Sequence, residues 1–343
     1  MRGGALWGCQ VFLAAVLPFV LGGAPRDLAQ AAPRTHVLIV TGASGEPRFA
    51  QQFHKVATSF RVAAITRFEI PDSQVIYLAE QTTPDPRTIS GRSTREGISQ
   101  AIDRIAAHAS AGDAVFILLI GHGSSDGEVS RFNVPGMDVS DVDFKAYLDK
   151  LSGQTVAFVN AASAGGDFVK TLSGKNRIIV SATKSGFERN ETLFAGHFVT
   201  AYATDGADTD KDGRVSVLEA FVYARREVQR EYEGSNRLQT EHAMLDDDGD
   251  GAARADPAAR GPDGTIANRF FLQRAVGLSA AAAADPRAAA LLATQAKLEA
   301  QLDTLKLAKG VMSEADYQKA LEDLLLKISE NASALRALGV RKP

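Results

Sequence analysis

Cysteine is nearly missing: the 343 residues hold one, Cys9. A single thiol excludes an internal disulfide framework and a four-thiolate zinc site. An excess of either charge is also missing, since 38 Lys and Arg stand against 41 Asp and Glu for a net −3. That balance argues against a broad nucleic-acid-binding surface, which shows as clustered Lys and Arg. Histidines are few, and His36, His54, His108, His197 and His242 form no pair at helical ligand spacing, so the sequence gives no zinc motif. Long apolar runs are confined to the first residues, which excludes a many-spanning membrane protein. What remains, 45% hydrophobic and 23% charged residues, is an ordinary globular composition.

Residues 1–31 read as a signal peptide. Met1-Arg2 precede an apolar block from Ala5 to Leu21, and Ala29-Gln30-Ala31 has the small-x-small form that signal peptidase accepts. An uncleaved anchor is the alternative; Pro18, Gly22 and Gly23 weaken a stable spanning helix. Cys9 lies near the start of the apolar block, where a lipoprotein cysteine would not. Cleavage near Ala31 predicts a periplasmic or secreted protein without cysteine and with no stable membrane span.

The remainder divides into residues 35–275 and a pair of helices over 286–338. In the first part, short apolar runs suited to buried parallel strands lie at His36–Thr41, Gln74–Ala79, Ala114–Ile120, Thr155–Asn160 and Arg177–Ala182. Helical patterns alternate with them. Thr94–Ala109 puts Ile98, Ile102 and Ile105 on one face, and Ser140 with Asp143 opens a helix carrying Phe144, Tyr147 and Leu148. This alternation predicts an α/β domain with a mainly parallel sheet, its ligand-binding and catalytic groups where strands end. Residues 233–265, rich in Asp, Gly and Ala, read as an excursion or linker.

In the second part, Leu291, Leu298, Leu302 and Leu305 are followed by a break at Lys309-Gly310. Ser313 and Asp316 then cap a helix bearing Tyr317, Leu321, Leu324 and Ile328. These predict an antiparallel hairpin with coiled-coil-like seams. Such a seam packs within the chain or joins a second copy into a homo-oligomer.

The sharpest motif is Asp-Thr-Asp-Lys-Asp-Gly-Arg-Val-Ser-Val-Leu-Glu at residues 208–219. An EF-hand loop places oxygen ligands at positions 1, 3, 5, 7, 9 and 12 and a glycine at 6. Here these are Asp208, Asp210, Asp212, the carbonyl of Arg214, Ser216 and Glu219, with Gly213 at the turn. Helical patterns flank the loop at Leu193–Ala203 and Leu218–Tyr232. A hard cation that takes six to eight oxygens suits this set, so the reading is a calcium site. Asp246, Asp248 and Asp250 before Gly251 repeat the first half of the pattern and are candidates for a second ion. Pro257 at the twelfth position cannot ligate.

Two strand ends carry the remaining chemistry. The run ending at Ile120 leads into Gly121-His122-Gly123-Ser124, whose glycines leave an imidazole accessible. The run ending at Asn160 leads into Ala161-Ala162-Ser163-Ala164-Gly165-Gly166. Neighbouring strands that end in a histidine loop and a small-residue turn are laid out like a nucleophile–histidine dyad.

On these residues, over about 35–250, the chain resembles the legumain-like branch of the caspase-fold cysteine peptidases. The resemblance implies a three-layer caspase-like fold with the EF-hand-like loop inserted and the helical hairpin outside the peptidase core. It places the catalytic histidine at His122, beside Gly123 and Ser124, and the catalytic cysteine position at Ala162, between Ala161 and the turn glycine Gly165. Ala162 carries no nucleophilic atom. The implied protein is therefore a non-catalytic homologue that binds calcium and a peptide or protein ligand. One alternative is a hydrolase in which His122 takes the proton of Ser163; another is an oligomerisation protein acting through the hairpin. The turn Thr41-Gly42-Ala43-Ser44-Gly45 lacks the further glycines of a dinucleotide-binding loop, with Glu46 and Arg48 in their places, and reads as a tight turn after a strand.

Overall fold

A computed structural model of the chain describes residues 33–211, 213–272, 285–308 and 312–338. The signal segment and the Lys309-Gly310 break lie outside the described residues.

Strand β1 (Thr35–Thr41) leads into helix α1 (Pro47–Val62), then β2 (Val75–Ala79), the two-residue β3 (Gly91–Arg92) and α2 (Arg95–His108). Next come β4 (Ala114–Ile120) and a small three-stranded antiparallel sheet, β5 (Gly123–Ser125), β6 (Ser130–Phe132) and β7 (Val139–Ser140). The chain continues through α3 (Asp141–Leu148), β8 (Thr155–Asn160), α4 (Phe168–Leu172), β9 (Arg177–Ser181), α5 (Phe194–Ala203), α6 (Val217–Gly234) and β10 (Met244–Asp246). It ends with α7 (Pro286–Ala308) and α8 (Glu314–Ala337).

The main sheet has seven strands in the order β10-β9-β8-β4-β1-β2-β3. All neighbours are parallel except β10 against β9. The five apolar runs are β1, β2, β4, β8 and β9, buried on both faces because helices cover both. Successive residues alternate between the layers: Val37 and Ile39 pack with Phe49, Phe53 and Phe60 of α1. Leu38 and Val40 pack with Ile98 and Ile102 of α2 and Phe144 of α3. Helices α1, α5 and α6 thus share one face, and α2, α3 and α4 the other.

Local chemistry sets the helix starts. Pro47 occupies the first turn of α1, where its missing N–H costs nothing. Thr94 accepts a hydrogen bond from the Gly97 amide at 3.1 Å and caps α2. The capping box expected at Ser140/Asp143 stands at the start of α3, while at α8 Ser313 accepts from the Asp316 amide and its hydroxyl, not its amide, donates to the Asp316 carboxylate. The predicted linker is more ordered than its composition suggests. Met244, Leu245 and Asp246 pair with Ser181, Val180 and Ile179 and close the sheet as its antiparallel edge, a run too short to stand out from the acidic sequence around it.

The hairpin helices pack on each other through Ala288 and Leu335, with Leu291, Leu292 and Leu338 around them. Tyr317, Leu324 and Asn331 recur every seven residues on the buried side of α8. Asn331 is satisfied there by the Leu291 carbonyl at 3.0 Å and Gln295 at 2.8 Å. Leu325 and Leu326 are 48% and 56% exposed. No helix among the described residues is long and apolar enough to cross a membrane.

Candidate functional site

Parallel strands bring their carboxyl ends to one edge, which is where His122 and the 160–166 turn meet. His122 follows β4, and its backbone carbonyl accepts from Asn133 at 3.0 Å, which starts the small sheet. Its half-buried imidazole stands edge-on to Phe49, 4.6 Å between centroids, and to Phe53 at 5.2 Å. Burial lowers the His122 pKa from its ordinary 6.5, outweighing the opposing pull of Glu191 and Glu46. At neutral pH the ring is therefore a neutral base.

The 160–166 turn divides its side chains between the layers. Ala161 belongs to the α1 side and Ala162 to the α2–α3 side, where it is fully buried with Phe158 and Phe168. Side chains along an extended segment alternate in direction. A group at position 162 therefore looks away from the aromatic layer that holds His122. Ser163 is the residue whose side chain meets the histidine loop. It is 2% exposed, its Oγ accepts from the Gly123 amide at 3.2 Å and lies 3.5 Å from the Gly123 carbonyl. Among the described residues no hydrogen bond joins Ser163 to His122.

The turn is held by the segment between β9 and α5. Thr192 Oγ1 donates to the Ala161 carbonyl at 2.6 Å, and the Ala164 amide donates to the Glu188 carbonyl at 2.7 Å. Ala164 adopts φ 52°, a left-handed conformation uncommon outside glycine, and this clamp maintains it. A Cβ on Gly166 would lie 2.1 Å from the Ser185 nitrogen, which explains the glycine there. The Glu188 side chain in turn binds His242, and Arg189 reaches the Ser125 carbonyl at 2.9 Å. Phe187, on the same segment, is 77% exposed.

The acidic loops lie at the other edge. Helix α5 runs back along the sheet, and Asp205 beyond its end pairs with Arg67 beyond the end of α1. In the loop that follows, Asp208, Asp210 and Glu219 bring one ligand atom each within 4.8 Å of one another. Asp208 Oδ2 accepts from the Gly213 amide at 3.0 Å, closing the turn. Asp208 Oδ1 is buried with no hydrogen-bond partner among the described residues. Glu219 Oε1 accepts from the Thr209 amide at 2.9 Å, while Oε2 and Ser216 form the capping box of α6. Asp212 lies outside the described residues. Arg214 stacks its guanidinium on Phe271, leaving its role as a ligand to its carbonyl.

Asp246, Asp248 and Asp250 form a second group. Asp246 is fully buried, bound by Ser173 Oγ at 3.0 Å and by the Gly251 amide at 2.7 Å; burial raises its pKa above the ordinary 3.8. Asp247, between them, points elsewhere and accepts from the amides of Gly264, Ile266 and Ala267, fastening the loop to the core. Asp246 stands opposite Ile179 at the middle of β9, and the 208–219 loop follows the far end of α5, so neither group belongs to the loops that hold His122.

Two residues with clear parts in this geometry carry no sequence signal: Glu188 and Thr192. Each acts across dozens of residues, where no motif spacing applies.

No family model matches the chain, and no curated protein matches it. Among solved structures, the crystal structure of drICE is similar over 60% of this chain and 86% of that chain, with 12% identity and a TM-score of 0.34. A likeness of that size says nothing of activity.

Proposed function

We propose that this protein is an exported, calcium-binding homologue of the caspase-like peptidases, whose His122 edge holds a peptide or protein segment without cleaving it. The observation that carries the reading is the state of the candidate nucleophiles. Ala162 has no reactive atom and faces the opposite layer, while the Ser163 hydroxyl is buried and bonded to Gly123 rather than to His122. A serine without a base hydrogen-bonded to it is a weak nucleophile. The edge retains what binding needs, a neutral imidazole, the exposed ring of Phe187 and backbone polar groups of the loops around them.

The 208–219 loop supports calcium as the resident ion. Hard carboxylate oxygens converge there, and the buried, unpartnered Asp208 Oδ1 is the kind of atom a cation satisfies. Asp208, Asp210, Asp212, the Arg214 carbonyl, Ser216 and Glu219 would hold it, and its place at the far edge makes its contribution structural. Asp246, Asp248 and Asp250 are the lesser candidate for a second ion.

One observation favours a second reading, a serine hydrolase: Ser163 Oγ already stands 3.2 Å from the Gly123 amide, next to the histidine. Hydrogen bonds of catalytic groups often tighten only with substrate bound. The test is cleavage of a mixed peptide library by the purified protein with calcium, beside His122→Ala and Ser163→Ala. The binding reading expects no cleavage above the variants. Cleavage by the wild type that both variants lose would replace it with the hydrolase.

A further inference from the structure

We propose that Glu188 is a positioning residue of the His122 edge, holding the 160–166 turn in the form in which Ser163 meets Gly123. The segment between β9 and α5 grips that turn at three points. The Gly165 amide donates to Thr183 Oγ1 at 2.9 Å, the Ala164 amide to the Glu188 carbonyl at 2.7 Å, and Thr192 Oγ1 to the Ala161 carbonyl at 2.6 Å. The middle contact carries the strain. Ala164 is fully buried at φ 52°, a left-handed conformation that its Cβ disfavours.

The Glu188 side chain fixes the carbonyl that Ala164 uses. Its Oε2 accepts from the Lys184 amide at 2.9 Å, which closes the turn ending at Glu188, and from the His242 amide at 3.1 Å. Its Oε1 is bound to the His242 ring, and the side chain is 11% exposed, so little water competes for these donors. His242 lies two residues before β10, so the carboxylate moors the segment to the sheet edge. The neighbouring Glu241 accepts from the Leu193 and Phe194 amides at 2.8 and 3.1 Å, mooring the other end. Phe187 stands between Glu188 and Gly186, whose amide donates to Asp167 Oδ2 at 3.1 Å, so the same anchorage presents its exposed ring.

This rests on the reading of the edge as the ligand-holding site, yet its test needs no ligand. Amide hydrogen exchange of the full chain is followed residue by residue by NMR. Glu188→Ala should raise the opening constant of the Ala164 and Gly165 amides roughly 5–30-fold, the scale of one left-handed residue, and leave β4 and β8 unchanged. Glu188→Gln keeps an acceptor for the Lys184 and His242 amides and should restore the wild-type value. Ala164→Gly takes φ 52° without help, so it should remove most of the effect of Glu188→Ala. A role in general stability would not be relieved at position 164. His242→Ala, which loses the ring bond and keeps the amide bond, should shift the same amides by less, and it serves if Glu188→Ala does not fold. Wild-type exchange at Ala164 in folded Glu188→Ala or, failing that, in His242→Ala would overturn the proposal. So would a rise that spreads through β4 and β8, that Glu188→Gln fails to restore, or that Ala164→Gly leaves intact. Absence of peptide binding would overturn the ligand reading and leave these outcomes as they are.

Discussion

Glu219 holds two positions in the calcium reading at once, and a single substitution separates them. Its carboxylate closes the capping box with Ser216 and also lies within 4.8 Å of Asp208 and Asp210. Glutamine serves a capping box as well as glutamate does, but it lacks the charge and the second oxygen that a bidentate calcium ligand supplies. Glu219→Gln should therefore leave the calcium-free protein within about 1 kcal/mol of wild type. An ion that binds the folded chain alone stabilises it by about 2.7 kcal/mol at a hundredfold excess over Kd. For a domain of this size each kcal/mol moves the Tm by roughly 2–4 °C. The wild type should then gain about 5–10 °C in differential scanning calorimetry when calcium replaces a chelator, and Glu219→Gln should gain almost nothing. An unmoved wild-type Tm in excess calcium, or a gain that survives in Glu219→Gln, would refute the reasoning.

Other outcomes follow from single observations. Burial raises the Glu241 carboxyl to about 7, against an ordinary 4.5, although it accepts from the Leu193 and Phe194 amides. The folded chain then holds a proton that the unfolded chain has released between these values, so the contribution of Glu241 is full below pH 4.5 and is lost as pH rises through about 7. Urea melts across that window should show wild-type stability falling relative to Glu241→Gln; parallel curves would contradict it. A Cβ on Gly123 would lie 2.2 Å from the Ser163 carbonyl, so Gly123→Ala should displace the 160–166 turn and lower the Tm, while an unchanged Tm would show the two loops yield freely. Exposed Leu325 and Leu326 beside the heptad seam suit self-association of the hairpin. Removing residues 286–343 should lower the mass in light scattering by more than the deleted segment, and a loss equal to that segment would dismiss the idea.

The strands and helix starts were legible because they are local. The apolar runs needed only their length and Val, Ile and Leu content, and the helix starts at Ser140 and Ser313 needed only their spacing. The acidic loop at 208–219 was legible for the same reason. Strand β10 was not, since three residues embedded in acidic sequence have no period to read. The turn after β8 shows a different limit. A step of one residue carries a side chain from one face of the sheet to the other, so motif alignment alone cannot say whether position 162 or 163 faces the histidine. Ala162 lies among Phe158 and Phe168, and Ser163 lies at Gly123, a distinction that belongs to packing. The turn at Ser44 was readable as a turn, but the tie from Glu188 to His242 joins residues 54 apart in sequence.

The most direct test of the central claim is the reactivity of Ser163. A fluorophosphonate labels a serine that an adjacent base activates and leaves an ordinary hydroxyl untouched. The calcium-loaded wild type should show no modification at Ser163 by peptide mass mapping, in keeping with a hydroxyl bonded to Gly123. Stoichiometric labelling of Ser163 that disappears in His122→Ala would contradict the account and make the protein a serine hydrolase.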